Sequence, residues 1–472
     1  MSEDCDKPLI VDVCVVGGGP AGSVVAACLA DRGYRVVLID RGRSADRVEC
    51  LPLPCWNLLE SLGISEQIRT EGLIPCPVTR LQWPGPRQEV RLHEQSGLLR
   101  RRGFDRMLLD AARRSGATVL PSAHAAPLTW SGFDWMLVVS GEQWRRHIVA
   151  RFLVDASGRR SGLPRRRRRL SPPTVALSGL CTGAFPTQVE MRVEAIEKGW
   201  CWGAFLPEGN AEVSVFLDTG DCAGLGGSDR LRLYRAALAG SDFFGAVKST
   251  TTNIAVCDAS AFVDEDPVSE HAIKVGDAAI ALDPLSSQGV QAALRSAVHA
   301  GAVVHTLLSG GDLGAALEFY RNALADAAAH HRTIAAQYYS ACDRWPNAKF
   351  WRARHWTVAG PVTPPVEMPD LSDDPPLFFS PDARFAPVPT LTDGEISYRM
   401  ALAHPRLARP VAYIEGVALG DLLPHLPVGR QASQTVAAWT PLLPRERAQA
   451  VLGWLVRNGV LVTGERQTTL DN

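Results

Sequence analysis

Ile10-Val11-Asp12-Val13-Cys14-Val15-Val16-Gly17-Gly18-Gly19-Pro20-Ala21-Gly22 is the stretch that decides the fold. A β-branched apolar run meets a cluster of glycines, and Gly22 to Arg32 then continues with helical composition. Tyr34 to Ile39 is a second buried-strand run, closed by the acid Asp40. Strand, tight turn, helix, strand and acid make a βαβ unit of the dinucleotide-binding kind. Gly17 permits the turn, Gly19 lets the backbone approach a pyrophosphate, and Gly22 lets the helix pack on the strand. The helix N-terminus then faces the phosphates, and Asp40, followed by Arg41, stands where ribose hydroxyls would be held.

Val13 to Ala30 carries no charge and nearly reaches the length of a membrane span, but its central glycines would break a membrane helix. A soluble protein is expected. With 472 residues the chain is long for one core, so two or three domains are expected. Lys and Arg number 49 against 50 Asp and Glu, which leaves no bulk field toward nucleic acid or an anionic membrane, and neither is expected as a partner. The eleven cysteines are scattered without a CxxC pair and read as reduced thiols; no metal site is expected. Met1 to Pro8 carries acids where an export signal would be basic and then apolar, so a cytoplasmic location is expected.

Further along, Phe104 to Ser115 has helical patterning and Arg151 to Asp155 is a short strand before the Ser157-Gly158 turn. From about Leu170 to Val263, strand-like runs such as Ala211 to Leu217 alternate with Gly and Pro breaks, as in an inserted antiparallel sheet. Ala-rich helix dominates from Gln288 to about Tyr339, interrupted near Ser309-Gly310-Gly311. Nine prolines fall within the 29 residues from Pro361 to Pro389, which reads as a linker or wrapping arm. Beyond it, helical Arg445 to Val456 followed by strand-like Gly459 to Val462 suits a small winged-helix-like domain.

From about Val11 to Tyr320 the chain resembles the flavoprotein monooxygenases and their relatives, the flavin-dependent halogenases and geranylgeranyl reductases. Leu99-Arg100-Arg101-Arg102-Gly103-Phe104-Asp105 is similar to the family segment whose arginine contacts FAD, which puts that role on Arg101. Ile273 to Ala279 resembles the motif whose aspartate, here Asp277 after Gly276, binds the ribityl chain. Asp283-Pro284-Leu285-Ser286-Ser287-Gln288-Gly289 follows as the turn beside the isoalloxazine ring, giving Pro284, Ser287, Gln288 and Gly289 as further FAD contacts. A carboxylate for hydroxyls, then backbone N–H groups at a helix start for the charge of reduced flavin, is what that chemistry asks for. Asp46 to Pro54, with Glu49, and Arg151 to Gly158, with Asp155, resemble the halogenase and reductase branch.

The resemblance implies an α/β fold: a discontinuous Rossmann-type FAD domain with an inserted antiparallel-sheet substrate domain, plus a small mainly helical C-terminal domain. The expected boundaries are 1–80, 98–168 and 266–340 for FAD, 81–97 and 169–265 for substrate, 341–390 for the Pro-rich arm and 391–472 for the last domain.

Gly199 to Pro207 is similar to the WxWxIP signature of halogenases, with two extra residues before the proline. Halogenases also need a lysine amine in the first half of the flavin domain. The five lysines are Lys7, Lys198, Lys248, Lys274 and Lys349, so the interval between Lys7 and Lys198 has none. Arginine is no substitute, because its guanidinium stays protonated. Oxygenation of an aromatic ring through a flavin C4a-hydroperoxide is therefore favoured, with O₂ and an external reductant, NAD(P)H or reduced flavin. Trp200, Trp202 and Phe205 are candidates for one pocket wall, although aromatics on a strand also serve as plain core. No catalytic acid or base is assigned.

His330-His331 point to different faces of a helix and read as solvated histidines. Arg165 to Arg169 reads equally as a docking patch or a charged surface loop. Within the family the chain is most similar to the monooxygenases that hydroxylate a tryptophan in the small subunit of quinohemoprotein amine dehydrogenase, toward cysteine tryptophylquinone. That implies a polypeptide substrate and two ring hydroxylations. Halogenation or hydroxylation of a free small aromatic, and prenyl-chain reduction, remain the alternatives.

Overall fold

A computed structural model describes residues 7–42, 46–83, 85, 87–91, 96–183, 188–206, 209–249, 253–356, 373–422, 425 and 429–463. They fall into two compact units, Met1–His305 with Tyr320–Val358, and Thr306–Phe319 with Ala359–Asn472.

In the first unit, strand β1 (Leu9–Val16) pairs in parallel with β2 (Val36–Ile39) on one side and with the strand Arg145–Asp155 on the other. Helix α1 (Pro20–Ala30) connects β1 to β2 and is buried along almost its whole length. This near-continuous apolar run is what a parallel sheet covered on both faces requires. Thr118–Leu120 extends the sheet beyond β2, and Ala272–Lys274 returns, more than a hundred residues later, to lie parallel to the end of Arg145–Asp155. The antiparallel strands Trp135–Ser140 and His124–Trp130 complete it. The segments expected from sequence for the dinucleotide unit thus meet in one sheet.

The inserted sheet is antiparallel through Thr174–Thr182, Asn210–Asp218, Gly199–Phe205 and Glu190–Ile196, and is extended in parallel by Val78–Gln82. Strand alternation gives its two faces different work. Val175, Leu177, Cys201, Phe205, Val213 and Val215 pack with Tyr234 and Leu238 of the helix Gly227–Ala239. Ala176, Trp200 and Phe216 face the opposite way, toward Tyr339, Phe350 and Trp351.

The structure departs from several of the expectations. Arg167–Arg169 is not a loop but a strand paired with Phe262–Asp264; Arg167 lies 3.9 Å over the Phe262 ring and Arg168 pairs with Glu265. The backbone ladder and the stacked Arg167 guanidinium order the strand, while Arg165, Arg166, Arg168 and Arg169 stay exposed, as a charged surface requires. His331 is buried, not solvated, because its helix face turns inward. The interval 341–390 is not a linker throughout: Lys349–Arg354 is a helix in the first unit, and Pro376–Phe379 and Arg384–Thr392 are strands of the second. Residues 357–372 lie outside the described residues.

The second unit is mixed rather than mainly helical. Arg384–Thr392 and Glu395–Ala403 form a hairpin with Thr392 opposite Glu395. Its two-residue turn is Asp393-Gly394, both at positive φ, the conformation that matches the twist of the strands. Pro387 and Pro389 are tolerated because Arg384–Thr392 is an edge strand, paired on one side only among the described residues. Leu377, Leu402, Trp439, Val451 and Leu455 gather the hairpin, the helices Ala432–Trp439 and Arg445–Arg457, and the strand Leu461–Thr463 around one core.

Candidate functional site

One continuous cleft of about 990 Å³ runs along the first unit. Its first part is built by the glycine turn. Gly17 has φ +117°, and a Cβ there would stand 2.3 Å from the carbonyl oxygen of Ala156. A Cβ on Gly22 would stand 1.9 Å from the Gly17 oxygen, and one on Gly18 2.6 Å from Asp40. These contacts clamp strand, turn, helix and the end of β2 together. Gly19 differs: a Cβ there would meet nothing within 4 Å. The open space lies at the N-terminus of α1, where no side chain caps the first-turn N–H groups. Unfilled helix-start donors beside a Cβ-free opening are what a pyrophosphate needs. Asp40, Arg41 and Gly42 line the same part.

Arg101, at the start of the helix Arg101–Arg114, also lines the cleft, but its guanidinium is shared between Glu49 and Asp105 at 3.0 and 3.1 Å. Burial works against its charge, yet the two carboxylates push its pKa above the arginine range. Glu49 is held in turn by Arg47 at 2.7 Å. Asp155 does not line the cleft: its buried carboxylate accepts from the Ser157 hydroxyl and N–H, the Ser161 hydroxyl and the Leu163 N–H. It closes the 156–163 loop instead of binding a cofactor, and its hydrogen-bonding capacity is spent there.

The loop after Ala272–Lys274 forms the next part. Gly276 has φ +56°, and Asp277 is half-exposed in the turn Gly276–Ala278, 3.4 Å from Arg159. Pro284, Ser287 and Gly289, which opens the helix Gly289–Leu308, line the same stretch; Gln288 does not. Asp283, also at the cleft wall, is almost wholly buried. Its carboxylate accepts from the Tyr339 hydroxyl and the Leu285 N–H, while its own N–H donates to His331 Nε2 at 2.9 Å. Burial raises the Asp283 pKa, and burial lowers that of His331 to about 4. His331 is therefore neutral around pH 7, as an acceptor of that N–H must be.

The last part is the even-numbered face of the inserted sheet. Trp200 and Phe216 stack with centroids 3.8 Å apart, Trp202 stands beside them, and Ser178 and Ser214 share a hydrogen bond of 2.7 Å. Phe205, three residues from Trp202, falls on the other face and packs on Phe244 and Arg192, so it is not part of the wall. Glu212, which motif reading missed, lines the cleft and accepts the Val48 N–H at 2.8 Å. Burial raises its pKa. Its signal in the sequence was parity: Glu212, Ser214 and Phe216 share a strand face. Pro207 lies outside the described residues.

No described lysine side chain lines the cleft. Among the described residues no trio of His, Cys, Asp or Glu is placed to hold a metal ion, and no described helix is long and apolar enough to cross a membrane. The arrangement fits FAD: a cradle for a pyrophosphate with acids for hydroxyls at one end, and an aromatic chamber with few polar groups at the other.

Comparison with known proteins agrees with this reading. Residues 10–192 match the model of the FAD binding domain family. Tryptophan 2-halogenase of Chondromyces crocatus is 26% identical over 374 residues, 74% of this chain and 71% of that protein. LodB of Marinomonas mediterranea, described as an FAD-dependent oxidoreductase, is 28% identical over 371 residues, 73% of this chain and 96% of that one. Among solved structures, the peptidyl tryptophan dihydroxylase QhpG, essential for tryptophylquinone cofactor biogenesis, is similar with a TM-score of 0.76 and 26% identity, over 95% of this chain and 99% of that one. The flavin-dependent halogenase CmlS shares the fold, with a TM-score of 0.73 at 19% identity over 98% of each chain.

Proposed function

Because this chain is an FAD-binding oxidoreductase of the flavin-dependent monooxygenase type, we propose that it hydroxylates an aromatic ring, a peptide-bound tryptophan, in two rounds. The observation that carries the reading is one cleft in which a cofactor cradle opens onto an aromatic chamber with no described lysine side chain. Likeness to the peptidyl tryptophan dihydroxylase QhpG over almost the whole of both chains supports a peptidyl substrate, and the family resemblance points to the small subunit of an amine dehydrogenase. Bound FAD would supply activation of O₂, with an external reductant, NAD(P)H or reduced flavin, providing two electrons for each oxygen inserted. The residues of the chain bind and orient: Gly17, Gly19 and Gly22 with the first turn of α1 hold the pyrophosphate, Asp40 a ribose, and Asp277 the ribityl hydroxyls. Trp200, Trp202 and Phe216 keep the ring site dry. The site of action in this reading is the cytoplasm.

Asp277→Ala removes a carboxylate acceptor, and hydrogen bonds to charged groups contribute about 1.5–3 kcal/mol. FAD should dissociate about ten- to a hundredfold more readily, read by flavin fluorescence on dilution. Retention equal to the wild type would contradict the assignment.

For the substrate, the small subunit of the amine dehydrogenase is incubated with the enzyme, FAD, a reductant and O₂, and its intact mass is measured. A gain of one or two oxygens on a tryptophan is expected. An unchanged subunit, with O₂ uptake triggered by free aromatics instead, would move the substrate to a small molecule.

A further inference from the structure

The side chains on the cleft-side face of the inserted sheet are arranged in three rows by the register, all but Ala204 lining the cleft. Ala176, Phe216 and Trp200 are opposite one another; then Ser178, Ser214 and Trp202; then Leu180, Glu212 and Ala204. Successive rows are about 7 Å apart, two residues of strand rise, which is close to the length of an indole. Polarity changes along them. The first row is buried and aromatic, the second carries the hydrogen-bonded hydroxyl pair, and the third carries Glu212 beside Leu180, which is 54% exposed. An aromatic ring lying along this face has apolar contact at one end and a carboxylate at the other.

Glu212 is not consumed by its own surroundings. Its carboxylate has a hydrogen bond from one donor among the described residues, the Val48 N–H on Oε2. A buried carboxylate with two oxygens has room for several donors, so one bond leaves unspent capacity beside a cleft. Arg47 and Arg100 are near enough to favour its charge, Glu49 to oppose it.

We propose that Glu212, with the Ser178–Ser214 hydroxyl pair one row deeper, is a subsite that receives a ring-borne N–H or O–H, so that the cleft selects indoles and hydroxylated aromatics over rings of the same shape without a donor. The inference rests on the aromatic-hydroxylase reading and adds to it. A first hydroxylation presents an N–H to this rail, and its product presents a new O–H. The same rail thus accepts the substrate of each round, and the ring is held by its polar edge while its carbon positions stay free.

Isothermal titration calorimetry of the FAD-loaded enzyme tests this with four probes: indole against N-methylindole, and a hydroxyindole against its methyl ether. The wild type should favour each donor-bearing probe by about tenfold or more, the effect of one hydrogen bond to a charged acceptor. Glu212→Gln keeps an oxygen for the Val48 N–H but turns an amide donor toward the cleft. It should lose the preference while binding N-methylindole within about twofold of wild type, because a group that only pins Val48 would leave the preference intact. Should the glutamine variant lose FAD, the double variant Ser178→Ala with Ser214→Ala answers in its place by lowering the preference several-fold. Equal wild-type binding of donor and methylated probes overturns the subsite and leaves the hydroxylase reading standing. So does a preference undiminished in an FAD-holding variant. If the wild type binds none of the four, the subsite is overturned, and the hydroxylase reading is decided separately by the mass of the polypeptide substrate.

Discussion

Gly22→Val purifies without FAD. The position has no room for any side chain: a Cβ would sit 1.9 Å from the Gly17 carbonyl oxygen and 2.9 Å from the Ala156 Cβ, and the nearest of these is backbone. Relief requires α1 to move off the turn, which opens the cradle and withdraws the helix-start N–H groups together. Flavin absorbance per protein after gel filtration should fall below about a tenth of wild type, with over-packing costing about 1–3 kcal/mol or more. Gly19→Ala is the informative companion. Its Cβ meets no protein atom, and its φ of −74° suits alanine, so the apo-protein should melt as wild type does. Weaker FAD binding there reports a clash with the cofactor alone. Near-stoichiometric FAD in the valine variant would remove the cradle from the account.

Lys274→Met should lower stability by about 3–5 kcal/mol, because breaking one partner of a buried ion pair leaves the other uncompensated. Lys274 is 4% exposed at the side chain and Asp264 0%, with Nζ 2.7 Å from Oδ1 and a second bond to the Asp266 carbonyl. The pair ties the strand Ala272–Lys274 to the strand Phe262–Asp264, immediately before the Gly276-Asp277 turn. FAD retention should therefore fall with stability. Urea unfolding followed by flavin fluorescence measures both, and adding Asp264→Leu should recover part of the loss by removing the stranded charge. An unfolding free energy within about 0.5 kcal/mol of wild type would show that water compensates Asp264.

The glycine turn was legible because its steric demands are local: only glycine meets them, and strand, helix and acid follow within thirty residues. The loop containing Gly276, Asp277 and Pro284 was legible only through a family pattern, since nothing in its spacing says that it returns to β1. Asp155 misled because an acid before Ser157-Gly158 offers the same composition whether it holds a ligand or its own loop. Phe205 misled for want of counting by two: an odd separation from Trp202 reverses the face of a strand. His331 and Tyr339 were invisible as partners of Asp283, because the contacts join positions 48 and 56 residues apart through tertiary packing. The hairpin 384–403 carried a readable Asp393-Gly394 turn, masked by attention to the prolines around it.

The parallel pairing of Leu153 with Ala272 has a consequence for biosynthesis. During synthesis the glycine turn is made more than 250 residues before the turn bearing Asp277, which with the helix opened by Gly289 arrives only after the whole inserted sheet. Until then the cradle has one side. Closing so long a loop is slow but adds little further entropic cost with length, since that cost grows only as its logarithm. A cofactor that needs both sides of the cradle is therefore held only late in synthesis, once residues 276–289 have joined the glycine turn.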